Sequence, residues 1–274
     1  VVDAYPALTA QYSRNKAGRF DEISYSSLYS HVLNCAAGLL SLGHTRGDHV
    51  GIISDNRKEW LQSSIAIMAI GAADVPRGSD ATSRDVSYIL SFAECRTVFL
   101  ENDAQVVKVL ENRDNLPDLS TVIMYDTISA EREKELSKKK IKAYTFQDIL
   151  DRGSDFRSKK NGVVEEELEK GTEDELATII FTSGTTGEPK GVMLSHANFL
   201  CQLPPLRERI ELSPGDRALC VLPVWHSFER ECEYVILDRA GGIVYSKPIG
   251  SILLADFVLM NPTLMPSVPR IWEA

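Results

Sequence analysis

The sequence predicts an α/β protein: a mostly parallel sheet covered by helices. Two observations carry this. Short β-rich runs alternate with stretches of helical periodicity along the 274 residues. Glycines and capping residues mark the joins between them. A third feature, a Gly/Thr-rich loop ending in a lysine, gives the fold something to hold.

Tyr25 to Leu42 places Leu28, Val32, Cys35, Leu39 and Leu42 on one helical face, with Gly43 suited to the C-terminal cap. His49 to Ile53 is a short strand. Asn56 to Ile70 is a second helix with Trp60, Ile65 and Met68 as core candidates, and Ala72 to Pro76 a strand running into a turn. Thr82-Ser83-Arg84-Asp85 opens a helix like a capping box, and Val86, Ile89, Leu90 and Ala93 form its buried stripe. Thr97 to Leu100 is a strand, followed by a helix through Val106, Val107 and Leu110, and Thr121 to Tyr125 is another strand. The alternation argues for parallel pairing, since parallel neighbours need crossover helices. Residues near 126–145 and 153–176 are charge-rich and read as surface excursions. Ala218 to Leu222 is then a strand, Glu229 to Ala240 a helix stopped by Gly241-Gly242, Ile243 to Tyr245 a strand and Ile252 to Met260 a helix. Thr263 to Met265 reads as a final strand, with Pro269 where a helix would start and the chain ending inside it.

Composition narrows the class. Hydrophobic content of 43% and charged content of 25% are those of an ordinary globular chain. A net charge of −9 argues against nucleic acid as a partner, which needs a basic face. Lys138 to Lys140 with Lys142 could touch anionic lipid, but Glu131, Glu133 and Glu135 precede the run, so it reads as a solvated face. Five scattered cysteines without CxxC spacing fit a reducing cytosol and spell neither a disulfide framework nor a zinc site. No apolar run reaches the roughly 18 residues of a membrane span.

The loop runs Thr182-Ser183-Gly184-Thr185-Thr186-Gly187-Glu188-Pro189-Lys190-Gly191. Gly184 and Gly187 admit backbone angles that turn successive N–H groups onto an anion. Ser183, Thr185 and Thr186 add hydroxyl donors, and Lys190 a compact positive charge. Ala177 to Phe181 before it and Gly191 to Ser195 after it both read as strand. A Walker loop runs into a helix with GxxxxGK[ST] spacing; here Pro189 stands five places after Gly184 and the register fails. The stretch is a phosphate loop of another kind.

This loop resembles the ATP-phosphate signature of acyl-adenylating enzymes: acyl-CoA synthetases, luciferases and peptide-synthetase adenylation domains. Leu222-Pro223-Val224-Trp225-His226-Ser227-Phe228-Glu229-Arg230, at a strand end before a helix, resembles the segment lining their carboxylate and acyl pocket. Val75-Pro76-Arg77-Gly78-Ser79-Asp80 resembles a turn, and Thr263-Leu264-Met265-Pro266-Ser267-Val268-Pro269-Arg270-Ile271-Trp272-Glu273 a segment, of the long-chain fatty-acid–CoA ligase branch. Glu229-Arg230 read as a helix-surface pair, and Arg270 as solvated.

The resemblance implies a fold, the N-terminal part of the adenylating-enzyme large domain, over residues 1–274, with the small C-terminal domain absent. It implies phosphate binding by Thr182, Ser183, Gly184, Thr185, Thr186, Gly187 and Lys190, catalytic roles for Lys190 and His226, and an acyl pocket at Trp225 and His226. A neutral His226 imidazole suits orienting a carboxylate. ATP with Mg2+, CoA and a fatty acid are the implied small molecules; no protein-held metal is implied. A cytoplasmic location is expected, with contact at an inner membrane face left open. The Y-G-x-T-E segment, the T-G-D aspartate and the C-terminal-domain lysine of the family are not in these residues, and Asp216 does not stand in for that aspartate, since Pro214 replaces the threonine. The chain by itself is therefore expected to be inactive and to self-associate. Two alternatives stay open: adenylation of another carboxylic acid, and a non-catalytic nucleotide-binding fragment.

Overall fold

The computed structural model describes residues 1–15, 17–182 and 189–273. The chain opens with β1 (Thr9–Arg14), β2 (Phe20–Ser24) and α1 (Tyr25–Ser41). Alternation follows through β3 (His49–Ile53), α2 (Lys58–Ala69), β4 (Ala73–Arg77), α3 (Ser83–Phe92), β5 (Thr97–Leu100), α4 (Asp103–Glu111) and β6 (Thr121–Met124). Next come α5 (Ala130–Lys138), β7 (Lys142–Thr145), α6 (Phe146–Lys159) and α7 (Val163–Lys170), then β8 (Leu176–Thr182) and β9 (Lys190–Ser195). The short helices α8 (His196–Leu200) and α9 (Leu203–Arg209) lead to β10 (Arg217–Cys220), α10 (Ser227–Asp238), β11 (Gly242–Tyr245), α11 (Gly250–Met260) and α12 (Pro269–Trp272).

Two compact units divide these elements. One comprises His31–Asp55 and Glu59–Ala197; the other comprises Val1–Ser30, Asn56–Lys58 and Asn198–Ala274. The first holds a seven-stranded sheet in the order β7-β6-β5-β3-β4-β8-β9, parallel throughout except for β9, which runs antiparallel to β8. Its core is aliphatic and continuous, with Ile53, Val75, Ile89, Leu90, Val98 and Val122 among the buried members. Nearly unbroken hydrophobic strands are what a sheet covered on both faces requires. One polar network is sealed inside: the buried Asp74 carboxylate on β4 accepts from Ser64 Oγ and Thr178 Oγ1, both at 2.6 Å. It ties α2, β4 and β8 together.

The capping reading at Thr82 holds in full, with Thr82 and Asp85 satisfying each other's backbone N–H groups. Gly43 sits at φ +87°, as a left-handed cap requires. The two charge-rich stretches depart from the expectation of plain surface excursions, because α5, β7, α6 and α7 form within them. A few apolar residues suffice: Leu136, Ile141, Ile149, Leu150 and Val164 are buried while the charges face water.

The second unit holds a four-stranded sheet in the order β10-β11-β1-β2; β10, β11 and β1 are parallel and β2 antiparallel. Tyr12, Leu219, Val221, Val244 and Met260 form its core. Tyr25 on α1 donates its hydroxyl to the Gly241 carbonyl at 2.6 Å. The expected strand at 263–265 reduces to a single parallel bridge, Ala218 with Leu264. Among the described residues no helix is long and apolar enough to cross a membrane.

Candidate functional site

The segment expected to hold phosphate lies between β8 and β9. Thr182 and Lys190 are register partners at the open end of this hairpin, so the ladder closes immediately before the loop and resumes on its lysine. Both side chains are exposed. Because β8 runs parallel to β4, Thr182 lies at the carboxyl edge of the sheet, where open α/β sheets bind their ligands. Ser183, Gly184, Thr185, Thr186 and Gly187 lie outside the described residues. The hairpin base is fixed from below. Phe181 meets Tyr88 and Phe92 of α3 edge to face, at centroid distances of 6.2 and 5.9 Å. Gly191 pairs with Phe181 across the strands, and a Cβ there would come within 2.9 Å of Ile179 and 3.3 Å of the Phe181 ring. Glycine after Lys190 thus lets the aromatic ring lie across its strand.

The same edge has a second opening, between β3 and β5, whose onward connections run to opposite sides. It is closed by its own acidic contacts. Glu101 accepts from the Asp55 N–H at 2.7 Å and from Ser54 Oγ at 3.3 Å, and Asp55 accepts from the Ser79 N–H at 3.1 Å. Carboxylates in that position repel phosphate.

His226 and Trp225 belong to the other unit, next to one another at the start of α10. His226 is the helix N-cap, and its Nδ1 accepts from the Phe228 N–H at 3.4 Å. With Nδ1 accepting, Nε2 is the ring nitrogen left to donate, and the residue is exposed. Trp225 is half-buried. The preceding segment is held by a residue that the sequence reading passed over. Asn56 accepts from the Val224 N–H at 2.9 Å and donates to the Leu222 carbonyl at 2.5 Å, a two-point clamp on the backbone leading to His226. An asparagine just ahead of a helix usually reads as a cap, which is why it escaped notice. In the same unit an apolar cavity of about 350 Å³ is bordered by Leu206, Ile210, Phe228, Val235, Leu264 and Glu231.

Glu229 and Arg230 overturn the reading as a helix-surface pair. Both are fully buried, and so is Glu233 one turn further. The Arg230 guanidinium stacks over Phe199 and Tyr234, at 5.2 and 5.7 Å from the ring centroids, and donates to the Tyr234 hydroxyl at 2.7 Å. Burial pushes the Glu229 carboxyl up to about 8, with the nearby Cys220 thiol and Leu222 backbone pulling the other way. Burial, and then the Glu229 charge, raise Glu233 well above the usual carboxylate range.

Residues 2–274 match the AMP-binding enzyme family. The chain belongs to that family. Among its relatives, the chloroplastic long-chain-fatty-acid–[acyl-carrier-protein] ligase AEE15 of Arabidopsis thaliana is 29% identical over 92% of this chain and 34% of its own length. Long-chain-fatty-acid–CoA ligase 5 of Rattus norvegicus is 29% identical over 91% of this chain and 36% of its own. This member of the AMP-binding family thus spans about a third of the length of the curated relatives it matches. The A domain of carboxylic acid reductase from Segniliparus rugosus, solved with AMP and a co-purified carboxylic acid, superposes with a TM-score of 0.80 at 17% identity, over 99% of this chain and 47% of that one. At that identity the likeness is one of fold, the mixed α/β arrangement of adenylating enzymes.

Proposed function

We propose that the protein containing this chain activates a long-chain fatty acid. The carboxylate attacks the α-phosphate of ATP, which enters with Mg2+ as its substrate form; acyl-adenylate forms and pyrophosphate leaves. The thiol of CoA then displaces AMP. The β8–β9 hairpin is the observation that carries this reading, since it sets Lys190 opposite Thr182 at a sheet's carboxyl edge, within a chain matched to the AMP-binding family from residue 2 to 274. Lys190, with Thr182, Ser183, Gly184, Thr185, Thr186 and Gly187, neutralises the β- and γ-phosphates, and transfers of this type depend mainly on positioning and charge. His226 Nε2–H orients the fatty-acid carboxylate, and Trp225 beside it borders the acyl chain. The relatives' names and the apolar cavity in the same unit support a long apolar acid. The chain by itself is inactive in this reading, because the adenine, ribose and C-terminal lysine segments of the family are not among its residues.

Pyrophosphate exchange into ATP, driven by carboxylic acids of increasing length, tests this in the full-length protein beside the chain alone. Exchange should peak with long chains in the former and vanish in the latter. A peak with short, aryl or amino acids would reassign the substrate, and no exchange with any acid would leave a nucleotide-binding fold only. In the full-length protein Lys190→Ala should slow adenylation about 100-fold, the loss that follows removal of one oxyanion donor. Pyrophosphate release at the unaltered rate would remove Lys190 from the mechanism.

A further inference from the structure

The end of β10 and the first turns of α10 bring together three side chains that the proposed reaction does not use. Cys220 is the last residue of β10, and Glu229 and Glu233 stand four apart on α10, which puts them on one helix face. One ligand atom from each lies within 4.8 Å of the others, and all three residues are buried. All four carboxylate oxygens of Glu229 and Glu233 are sealed from solvent; those of Glu233 have no hydrogen-bond partner, and Glu229 has only the Cys220 thiol and the Leu222 backbone beside it. Leaving such groups unmatched is among the costliest arrangements in a protein interior, whether they are ionised or protonated.

We propose that Cys220, Glu229 and Glu233 form a binding site for a divalent cation of the Zn2+ type. A thiolate beside two carboxylates favours Zn2+ over Mg2+ or Ca2+, which take oxygen ligands only. Zn–S near about 2.3 Å and Zn–O near about 2.1 Å place tetrahedral ligand atoms roughly 3.5 Å apart, so the present separations need to contract by only about an ångström. The charges also close. Three anionic ligands are matched by a divalent ion together with the buried Arg230 guanidinium, whose charge acts on Glu233. The groups that desolvation holds in their protonated forms would ionise on binding and release protons. The ion's role is mechanical: it pins the start of α10 to β10 and so fixes the His226 cap. The site does not depend on which acid the enzyme activates.

The purified chain, stripped with a chelator, is titrated with Zn2+ and, as a spectroscopic probe, with Co2+. A single Zn2+ should bind and raise Tm, and Co2+ should give a thiolate-to-metal charge-transfer band. Cys220→Ser should abolish the band, while Cys201→Ser, at an exposed cysteine, should keep it. Glu233→Gln, nearly isosteric, should weaken Zn2+ binding about 100-fold or more, beyond what loss of a ligand's supporting partner costs. This variant carries the test if Cys220→Ser does not fold, as circular dichroism would show. A folded chain without the band and without a Zn2+-dependent rise in Tm overturns the site. So does a band that survives Cys220→Ser, or Zn2+ affinity unmoved by Glu233→Gln.

Discussion

Glu229 has an ordinary carboxylate's value of 4.5 when unfolded and is pushed up to about 8 when folded, so the folded state grips its proton more tightly. In the metal-free chain the stability this contributes is fully present below about pH 4.5 and is lost as pH rises through about 8. Glu231, half-buried and pushed by burial up to about 7, acts in the same direction over a narrower window. Glu229→Gln should therefore flatten the fall of urea-unfolding stability between about pH 5 and pH 8. At about pH 8 the variant should be the more stable of the two, because a Gln side chain cannot ionise. Parallel pH profiles for parent and variant would contradict this. None of it is legible in the sequence, where Ser-Phe-Glu-Arg at a helix start has the look of a solvated first turn. Burial at Glu229 and Glu233 depends on what packs against α10, including Phe199 of α8 and Cys220 of β10, and local pattern does not encode that. The position of His226 between a strand and a helix was legible because that setting is local; the clamp made by Asn56 was not, since its partners lie more than 160 residues away.

At the scale of elements, the crossing of α1 and α6 rests on two glycines. A Cβ on Gly153 would fall on the Asn34 carbonyl oxygen and within 2.7 Å of the Gly38 nitrogen, and a Cβ on Gly38 would fall on the Ile149 carbonyl oxygen. At both positions the nearest atom is backbone, which cannot swing aside as a flexible side chain can. Gly153→Ala should cost about 3 kcal/mol, at the top of the overpacking range, measured as a lowered urea midpoint. Gly250→Ala, whose Cβ meets nothing within 4 Å, is the control and should stay within about 0.5 kcal/mol. Elements with strong local signals were readable: the Thr82 box, the Gly43 cap, and strands such as Thr97–Leu100 and Thr121–Met124. The elements inside the charge-rich stretches were hidden because each buries at most a few residues, and β7 none fully. The β1–β2 hairpin was hidden for a similar reason: Phe20–Ser24 buries none of its five positions fully.

Helical and strand alternation foretold parallel sheets at the scale of the whole molecule, yet strand order was beyond it. In the larger sheet β3 lies between β5 and β4, and in the smaller one β1 pairs with β11, more than 230 residues away. Such pairings are chosen by matching surfaces late in folding, and short sequence windows carry no trace of them. Apolar side chains stand exposed on two elements in particular among the described residues. Met193 on the edge strand β9 is 66% exposed, and Leu254 and Val258 on α11 are 68% and 86% exposed. A bare edge strand and an apolar helix face both favour association. The chain should scatter light as more than a monomer, and Met193→Lys with Val258→Glu should return it towards monomer mass; a monodisperse parent would refute this.

The uneven burial of the cysteines gives each unit its own reporter. Cys201 is exposed, whereas Cys35 and Cys95 are sealed in the unit with the large sheet and Cys220 in the unit with the small one. Burial pushes the Cys35 thiol up to about 12 and those of Cys95 and Cys220 well above the ordinary value, so in the closed state they do not form the thiolate that alkylating reagents need. A pulse of reagent should mark Cys201 at once and Cys35, Cys95 and Cys220 only when their unit opens. Mass spectra of the separated peptides then time the opening of the two units independently, within one unmodified chain.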